Sequence, residues 1–316
     1  MMRLRAMWAL SATVLVLTVS ACTDGGIGGG QSVDEGASVG PAVGATSPEG
    51  ATGDGASGII TGKEFDPDNF DDPTTIDNQW FPLQPGIRYV LQGRALDEGE
   101  PIDRRVVITV TDLTKVIAGV RTRVIYDLDY NDGRLVESDL AFFAQDNDGN
   151  VWQLGEYPEE YERGEIVKAP AWIHGVEGAR AGLTMPAEPQ LGLPSYAQGW
   201  GPAVGWNDRA NTLEMGVRTC VPFDCFLDVL VIREFNRNQS GASQLKYYAP
   251  GVGSVRVGWM GPNEEERERM ALVEFEQLTP EDLVAVRTEV LAQDERGYEI
   301  RPDVYAQTLP LELPLP

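Results

Sequence analysis

Histidine is almost missing from this chain, with His174 the only one in 316 residues. Mechanisms and metal sites that need two histidines from one chain are excluded, and a Ser-His-Asp triad would have to use this residue. No G-x-S-x-G elbow offers a serine partner, so His174, in Trp172-Ile173-His174-Gly175, reads as a loop or packing residue. Basic side chains are scarce, 25 Lys and Arg against 49 Asp and Glu, and the formal charge is −24. That balance argues against nucleic acid and anionic headgroups as partners. No apolar run reaches the about 20 residues of a bilayer span. The glycines at Gly28-Gly29-Gly30 follow no strand and precede no Lys-Ser/Thr, so they are not a phosphate loop. Nothing points to a cofactor, a catalytic residue set or a metal centre.

The N-terminus carries the clearest signal. Arg3 and Arg5 precede an apolar run from Trp8 to Val19, the n-region and h-region of a signal peptide over residues 1–21. The run ends in Val19-Ser20-Ala21-Cys22, which resembles a bacterial lipobox; the alternative is an ordinary secretory signal beside a chance cysteine. The lipobox reading implies acylation of Cys22, palmitate among the candidate chains. Each buried CH₂ contributes about 0.8 kcal/mol, so two or three chains anchor a protein that does not span the membrane. Loss of Arg3 and Arg5 takes the mature charge to about −26. Residues 22–62 are Gly, Ser, Ala, Thr and acid with few large apolar groups, a composition that cannot offset its chain entropy and reads as a flexible stalk.

The other two cysteines lie in Thr219-Cys220-Val221-Pro222-Phe223-Asp224-Cys225. Outside the cytoplasm such a pair oxidises, and Cys220–Cys225 would clip a hairpin turn. The spacing is not C-x-x-C, and no further Cys or His lies close by for a metal.

From residue 63 the pattern has period 2. Alternating segments run over Arg88 to Arg94, Arg105 to Asp112, Val120 to Tyr130, Leu135 to Gln145 and Asn150 to Glu156. Turns are expected at Asp97 to Asp103, Leu113 to Gly119, Asn131-Asp132-Gly133 and Asp146 to Gly149. Strands resume at Thr212 to Thr219, Phe226 to Phe235, Gln244 to Tyr248, Gly253 to Trp259 and Arg269 to Phe275. The expected fold is mainly β, an antiparallel meander forming a barrel, half-barrel or sandwich within a single domain over 63–300. Thr279-Pro280-Glu281-Asp282 starts one C-terminal amphipathic helix, with Leu283, Val286, Val290 and Leu291 on its apolar face and Gly297 as its stop or the turn after it. Arg301 to Pro316 reads as an extended tail.

Three segments carry a resemblance: Asn78-Gln79-Trp80-Phe81-Pro82-Leu83-Gln84-Pro85-Gly86, Ala144-Gln145-Asp146-Asn147-Asp148-Gly149-Asn150-Val151-Trp152, and Lys246-Tyr247-Tyr248-Ala249-Pro250-Gly251-Val252-Gly253. With Gly175 to Ala179 and Gly182 to Ala187 between them, they resemble an uncharacterised family of secreted bacterial proteins, many of them lipoproteins. The resemblance implies an extracytoplasmic location and brings no activity. The chain departs from the family pattern at Tyr196-Ala197-Gln198-Gly199-Trp200, where relatives carry an Arg and a Glu.

Several oxygen-rich groups merit weighing. Asp127, Asp129, Asn131 and Asp132 alternate as in a calcium loop, but Gly133 falls one position late and Ser138 occupies the twelfth place. Asp146, Asp148 and Asn150 alternate too, and a turn accounts for them. Asp66, Asp68, Asp71 and Asp72 read as a solvated linker edge. Glu156, Glu159 and Glu160 are candidates for paired carboxylate chemistry, which needs a separation and a shifted pKa that spacing does not specify. Trp172, Trp200 and Trp206 share a Gly- and Pro-rich stretch of the kind that lines ligand clefts. They direct the functional expectation: a lipid-anchored envelope protein, non-enzymatic, holding an apolar or amphipathic ligand between a concave sheet face and the helix. An envelope interaction protein without a cavity is the alternative, and a carboxylate hydrolase the third.

Overall fold

A computed structural model describes residues 64–314. The expected signal peptide over 1–21, Cys22 and the expected stalk over 22–62 lie outside the described residues. The chain runs through a 3-10 turn at Pro67–Asn69, then β1 (Ile87–Asp97), β2 (Glu100–Ile117), β3 (Val120–Asn131), β4 (Arg134–Gln145), β5 (Val151–Glu162), β6 (Glu165–Lys168), β7 (Trp172–Ile173), β8 (Gly182–Met185), β9 (Tyr196–Ala197), β10 (Asp208–Cys220), β11 (Cys225–Asn236), β12 (Ser243–Ala249), β13 (Gly253–Met260), β14 (Arg269–Gln277), α1 (Pro280–Ile300) and α2 (Pro302–Tyr305). The strands form one antiparallel sheet in the order β6-β5-β4-β3-β2-β1-β14-β13-β12-β11-β10-β9, with β7 and β8 added to β5.

The turn chemistry explains the meander. Glu98-Gly99, Ala118-Gly119, Asp132-Gly133 and Arg163-Gly164 each place two successive residues at positive φ, the two-residue hairpin geometry that matches strand twist. The turn expected over Leu113 to Gly119 is only Ala118-Gly119, because β2 continues to Ile117 through an irregularity after Val110. The turn over Asp97 to Asp103 likewise shrinks to Glu98-Gly99.

The sheet curls strongly. Phe81 packs on Phe143 of β4 and on Tyr248 of β12, at centroid distances of 5.5 and 6.1 Å. Six strand steps separate β4 from β12, about 29 Å in a flat sheet at about 4.8 Å per strand. The face carrying Phe143 and Tyr248 is therefore concave. The sheet does not close, so the half-barrel is the member of the three expected architectures that matches. Its two ends meet at a seam where Arg180 and Trp200 exchange backbone hydrogen bonds of 2.7 and 3.0 Å. Beside the seam, a Cβ on Gly182 would stand 2.0 Å from the Gly199 nitrogen, so only glycine permits this approach.

The helical end differs from expectation in three ways. α1 packs on the convex face, because Gln293 bonds Ser138 and Tyr157 while the concave residues of β4 are their neighbours Glu137 and Asp139. Gly297 lies inside α1 rather than at its stop, and a Cβ there would be 2.6 Å from the Tyr305 ring. The segment from Arg301 forms α2 instead of an extended tail, and Tyr305 and Leu311 are buried. α1 starts as the sequence indicates, with the Thr279 hydroxyl accepting from the Asp282 N–H. Of its four expected apolar contacts only Val290 is fully buried, and polar Gln293 and Asp294 complete the buried surface.

Cys220 and Cys225 are disulfide-bonded across the tip of β10 and β11. The loop is short, so reducing the bond or replacing both residues with Ser is expected to cost about 2 kcal/mol. Thermal unfolding with and without reductant checks this, and an unchanged midpoint would refute it.

Candidate functional site

The concave face is unusual for its charge. β3 contributes Asp127, Asp129 and Asn131, and β4 contributes Glu137 and Asp139, all buried. Asp127 stands directly opposite Asp139, and Asp129 opposite Glu137, so like charges face each other across the ladder, normally a destabilising arrangement. Glu156 and Glu160 of β5 share this face. Two buried cations answer them. Arg104 of β2 pairs with Asp129 at 2.5 Å and Glu268 at 2.7 Å, and Lys246 of β12 pairs with Glu234 at 3.4 Å. Neither carboxylate oxygen of Asp127 has a hydrogen-bond partner among the described residues.

Burial is the dominant influence on these groups. It pushes Asp127 well above the ordinary aspartate value, with Asp129 and Asp139 adding to the effect and Lys246 and Arg104 opposing it. Burial and then Asp129 raise Asp139 to about 7, against nearby backbone amides of Tyr157 and Leu140. Asp129 rises to about 6 because burial outweighs the Arg104 guanidinium. Glu137 and Glu156 are also raised well above the usual range, burial first and neighbouring carboxylates after it. Two facing acids with shifted pKa values would suit hydrolysis, but Asp127 and Asp139 are 4% and 1% exposed, which leaves a substrate no approach.

The structure separates the other sequence candidates. Glu159 points to the convex side, where Tyr157, Tyr161 and Arg296 donate to it, so it does not join Glu156 and Glu160. Asp132 leaves the β3 row and caps a turn by accepting from the Asp103 N–H. The Asp146 carboxylate accepts from the Asp148 and Asn150 backbone, the Asn150 amide and the Trp152 indole, which explains its motif by N–H donors alone. Asp66 caps the 3-10 turn, and Asp71 exchanges bonds with Asn147 on the β4–β5 turn. Among the described residues no three or more His, Cys, Asp or Glu side chains are placed to hold a metal ion. His174 accepts from the Ala181 N–H through Nδ1 and packs on Phe65, and burial lowers its pKa.

The three family-like segments meet in space. Gln145 accepts from the backbone of Asp77 and Asn78, and the Asn78 amide donates to Gly149 and Pro186 carbonyls. The Gly251 N–H donates to the Gln79 carbonyl, while Phe81 reaches Tyr248. Asn78 also accepts from Trp80 and Phe81, turning the chain so that Phe81 enters the concave face.

Trp172 and Trp206 stack with centroids 6.2 Å apart and are buried, whereas Trp200 is half-buried and contributes its backbone to the seam. None of the three lines the cleft that opens beside the seam, of about 290 Å³. Its apolar wall is Leu183, Leu193 and three prolines, Pro186, Pro189 and Pro194, with the aromatic residues Trp152 and Tyr196. Its polar residues are Asp148, Asn150, Glu188, Gln190, Asn211 and Thr212. Proline fixes backbone φ, so three prolines in one loop make this wall stiff. Trp152 and Tyr196 were not among the ligand candidates. Both sat in segments singled out for resemblance or departure, the one signal that could have led to them.

No protein-family profile and no curated protein matches the chain. Two solved structures resemble it weakly. One, from Bacteroides fragilis NCTC 9343, is described as an exported protein with a YmcC-like fold; it is 12% identical, covers 63% of this chain and 99% of its own, and has a TM-score of 0.38. The other, described as a lipoprotein from Parabacteroides distasonis ATCC 8503, is 11% identical with the same coverages and a TM-score of 0.35. The class the fold defines is an open, curled antiparallel meander with a charged concave face and a helix on its convex side.

Proposed function

We propose that this protein is anchored in the cell envelope through lipid on Cys22 and binds a small amphipathic ligand without transforming it. The anchor reading rests on the Val19-Ser20-Ala21-Cys22 sequence and the h-region before it, and the resemblance to secreted proteins and lipoproteins agrees with it. The binding reading rests on one observation, the preformed cleft beside the seam, whose lining combines apolar side chains with a small set of polar groups. The ligand position differs from the sequence expectation: α1 is on the convex face, so no site lies between it and the concave face.

The test is native mass spectrometry of the full chain expressed with its own signal in a bacterial host. A covalent addition to a chain beginning at Cys22, and a second mass that leaves on denaturation, are the expected results. An unmodified N-terminus would refute the anchor, and a ligand-free protein that also takes up no added amphipath would refute the binding module. The interaction-protein reading keeps one observation of its own: Met215, Phe223 and Leu227, around the β10–β11 tip, are exposed apolar side chains. In-cell cross-linking from residue 227 to a discrete envelope protein would favour it.

A further inference from the structure

The net charge of −24 hides a face of the opposite sign. Side chains alternate along a strand, so Arg105 and Tyr130, next in sequence to the concave Arg104 and Asp129, lie on the convex side. The register carries their row across six strands. Tyr130 of β3, Arg105 of β2, Gln92 of β1, Ala271 of β14, Arg256 of β13 and Tyr247 of β12 stand opposite one another in turn. One rung along, Arg94 of β1 and Arg269 of β14 face each other directly. Four arginines thus flank Gln92 and Ala271, with Arg105 and Arg256 about 14 Å apart at three strand steps.

Little among the described residues answers this charge. Arg94 pairs with Asp103 at 3.2 Å, but the two side chains are 79% and 76% exposed, so the pair contributes little. Glu274 is the other acid on this side, one rung away opposite Val90. Arg105, Arg256 and Arg269 make no ion pair among the described residues. Each lies over a ring instead: Arg105 over Tyr130 at 5.6 Å, Arg256 over Tyr247 at 4.9 Å and Arg269 over Trp259 at 5.6 Å. A guanidinium stacked on an aromatic ring keeps its N–H fork for an anion in the ring's plane, and phosphate suits that fork. Placing Arg94 opposite Arg269 works against the ladder, a cost that no contact within this face offsets. α1 covers the convex side at β2 and β4, through Arg287 with Asp112 and Gln293 with Ser138, and leaves Arg94, Arg256 and Arg269 exposed.

We propose that this arginine face docks on the anionic phosphate headgroups of the membrane that holds the chain, an inference that takes the Cys22 anchor above as its setting. Charge complementarity selects the anion, and a broad sheet surface matches a plane of headgroups. The acidity of the rest of the molecule does not forbid it, because charges beyond about 10 Å are largely screened at about 0.1 M salt. Each arginine at an anionic leaflet strengthens the contact about fivefold, and on a tethered chain a weak contact is enough to orient the domain.

The experiment places the full acylated chain on vesicles of phosphatidylcholine, or of phosphatidylcholine with phosphatidylglycerol, and labels arginines with phenylglyoxal, read residue by residue by mass spectrometry. Arg256 and Arg269 are expected to label about fivefold more slowly on the anionic vesicles at low salt, with the difference shrinking at high salt. The exposed Arg218 and Arg237, outside this row, should label equally on both. The double variant Arg256→Gln with Arg269→Gln should melt no lower than the parent and should lose the protection of Arg94 and Arg105. Equal labelling of the row on the two vesicles would overturn the proposal. So would equal protection by soluble polyglutamate at matched charge, which would assign the face to an acidic polypeptide. A chain that leaves neutral vesicles refutes the anchor alone; retention on the anionic vesicles would then still support the face, and retention on neither would overturn both.

Discussion

Raising the pH from about 5 to about 8 is expected to lower the melting temperature of this protein, by about 10 °C. Most proteins lose stability toward acid because native carboxylates are paired and their pKa values depressed. On this concave face the shift has the other sign. Asp139 is raised to about 7 and Asp129 to about 6, and Asp127, Glu137 and Glu156 are raised well above the ordinary range, all with burial as the first cause. Below about pH 4 such groups are protonated in folded and unfolded chains alike, and their contribution is complete. Above that value the unfolded carboxylates ionise freely, while the folded ones must stay protonated or ionise out of water. Stability is therefore lost as pH climbs through the folded values. Arg104 and Lys246 are the cations facing the row, and the direction of each shift shows that they do not offset its burial.

The pair to replace is Asp127 and Asp139, which stand opposite each other on β3 and β4. Asn at both positions removes the cost of ionisation while keeping shape, so the double variant should melt higher than the parent at about pH 8 and approach it at about pH 4 and below. Thermal unfolding across the range is the measurement. A parent midpoint that is flat or rises with pH, or a double variant that retains the parent's slope, would refute the reading.

Lys115→Met is expected to destabilise the protein by about 3–5 kcal/mol, the range for removing one partner of a buried ion pair. Lys115 is fully buried on the convex side and donates to Asp294 at 2.9 Å, to the Tyr298 hydroxyl and to the Leu309 carbonyl. Its ammonium also sits over the Tyr305 ring at 4.2 Å. Burial lowers its pKa and Asp294 opposes that shift, so the charge is held by one carboxylate. Asp294 in turn accepts from the Tyr305 hydroxyl and the Leu311 N–H. One ion pair thus pins β2, α1, α2 and the last described residues together. Removing the lysine strands the Asp294 charge, and hydrogen exchange should quicken in residues 290–311 before it does in the sheet. The companion variant Lys115→Met with Asp294→Leu removes both charges and should recover much of the loss. Uniform loosening of the sheet, or no recovery in the double variant, would count against this role.

Much of the architecture was legible along the chain because its causes are local. The strand pattern needs only alternation, and two of the hairpin turns carry Asp-Gly pairs readable without a fold, Asp132-Gly133 and Asp148-Gly149. The start of α1 was visible in Thr279-Pro280 because an N-cap bonds within its own turn. The hairpin disulfide belongs here too, five residues apart and on facing ends of two strands.

The short strands β6 to β9 were not legible, since two- and four-residue pairings onto β5 and β10 have too few positions to show a period. Nor was the side on which α1 docks, which is decided by polar contacts such as Gln293 with Ser138, 155 residues apart in sequence. The candidate site divides the same way. Trp172 and Trp206 are legible as aromatic residues among glycines, but that tertiary packing stacks them on each other is not.

By itself the sequence determined the acidic character, the meander of strands and the helix that follows it, because composition, alternation and capping act over a few residues. Only the tertiary structure decided how far the sheet curls, where its ends meet and that the acids of β3 and β4 lie out of water. Those depend on contacts between strands remote in sequence, and the cleft exists only where the seam brings β5 and β8 to β9 and β10.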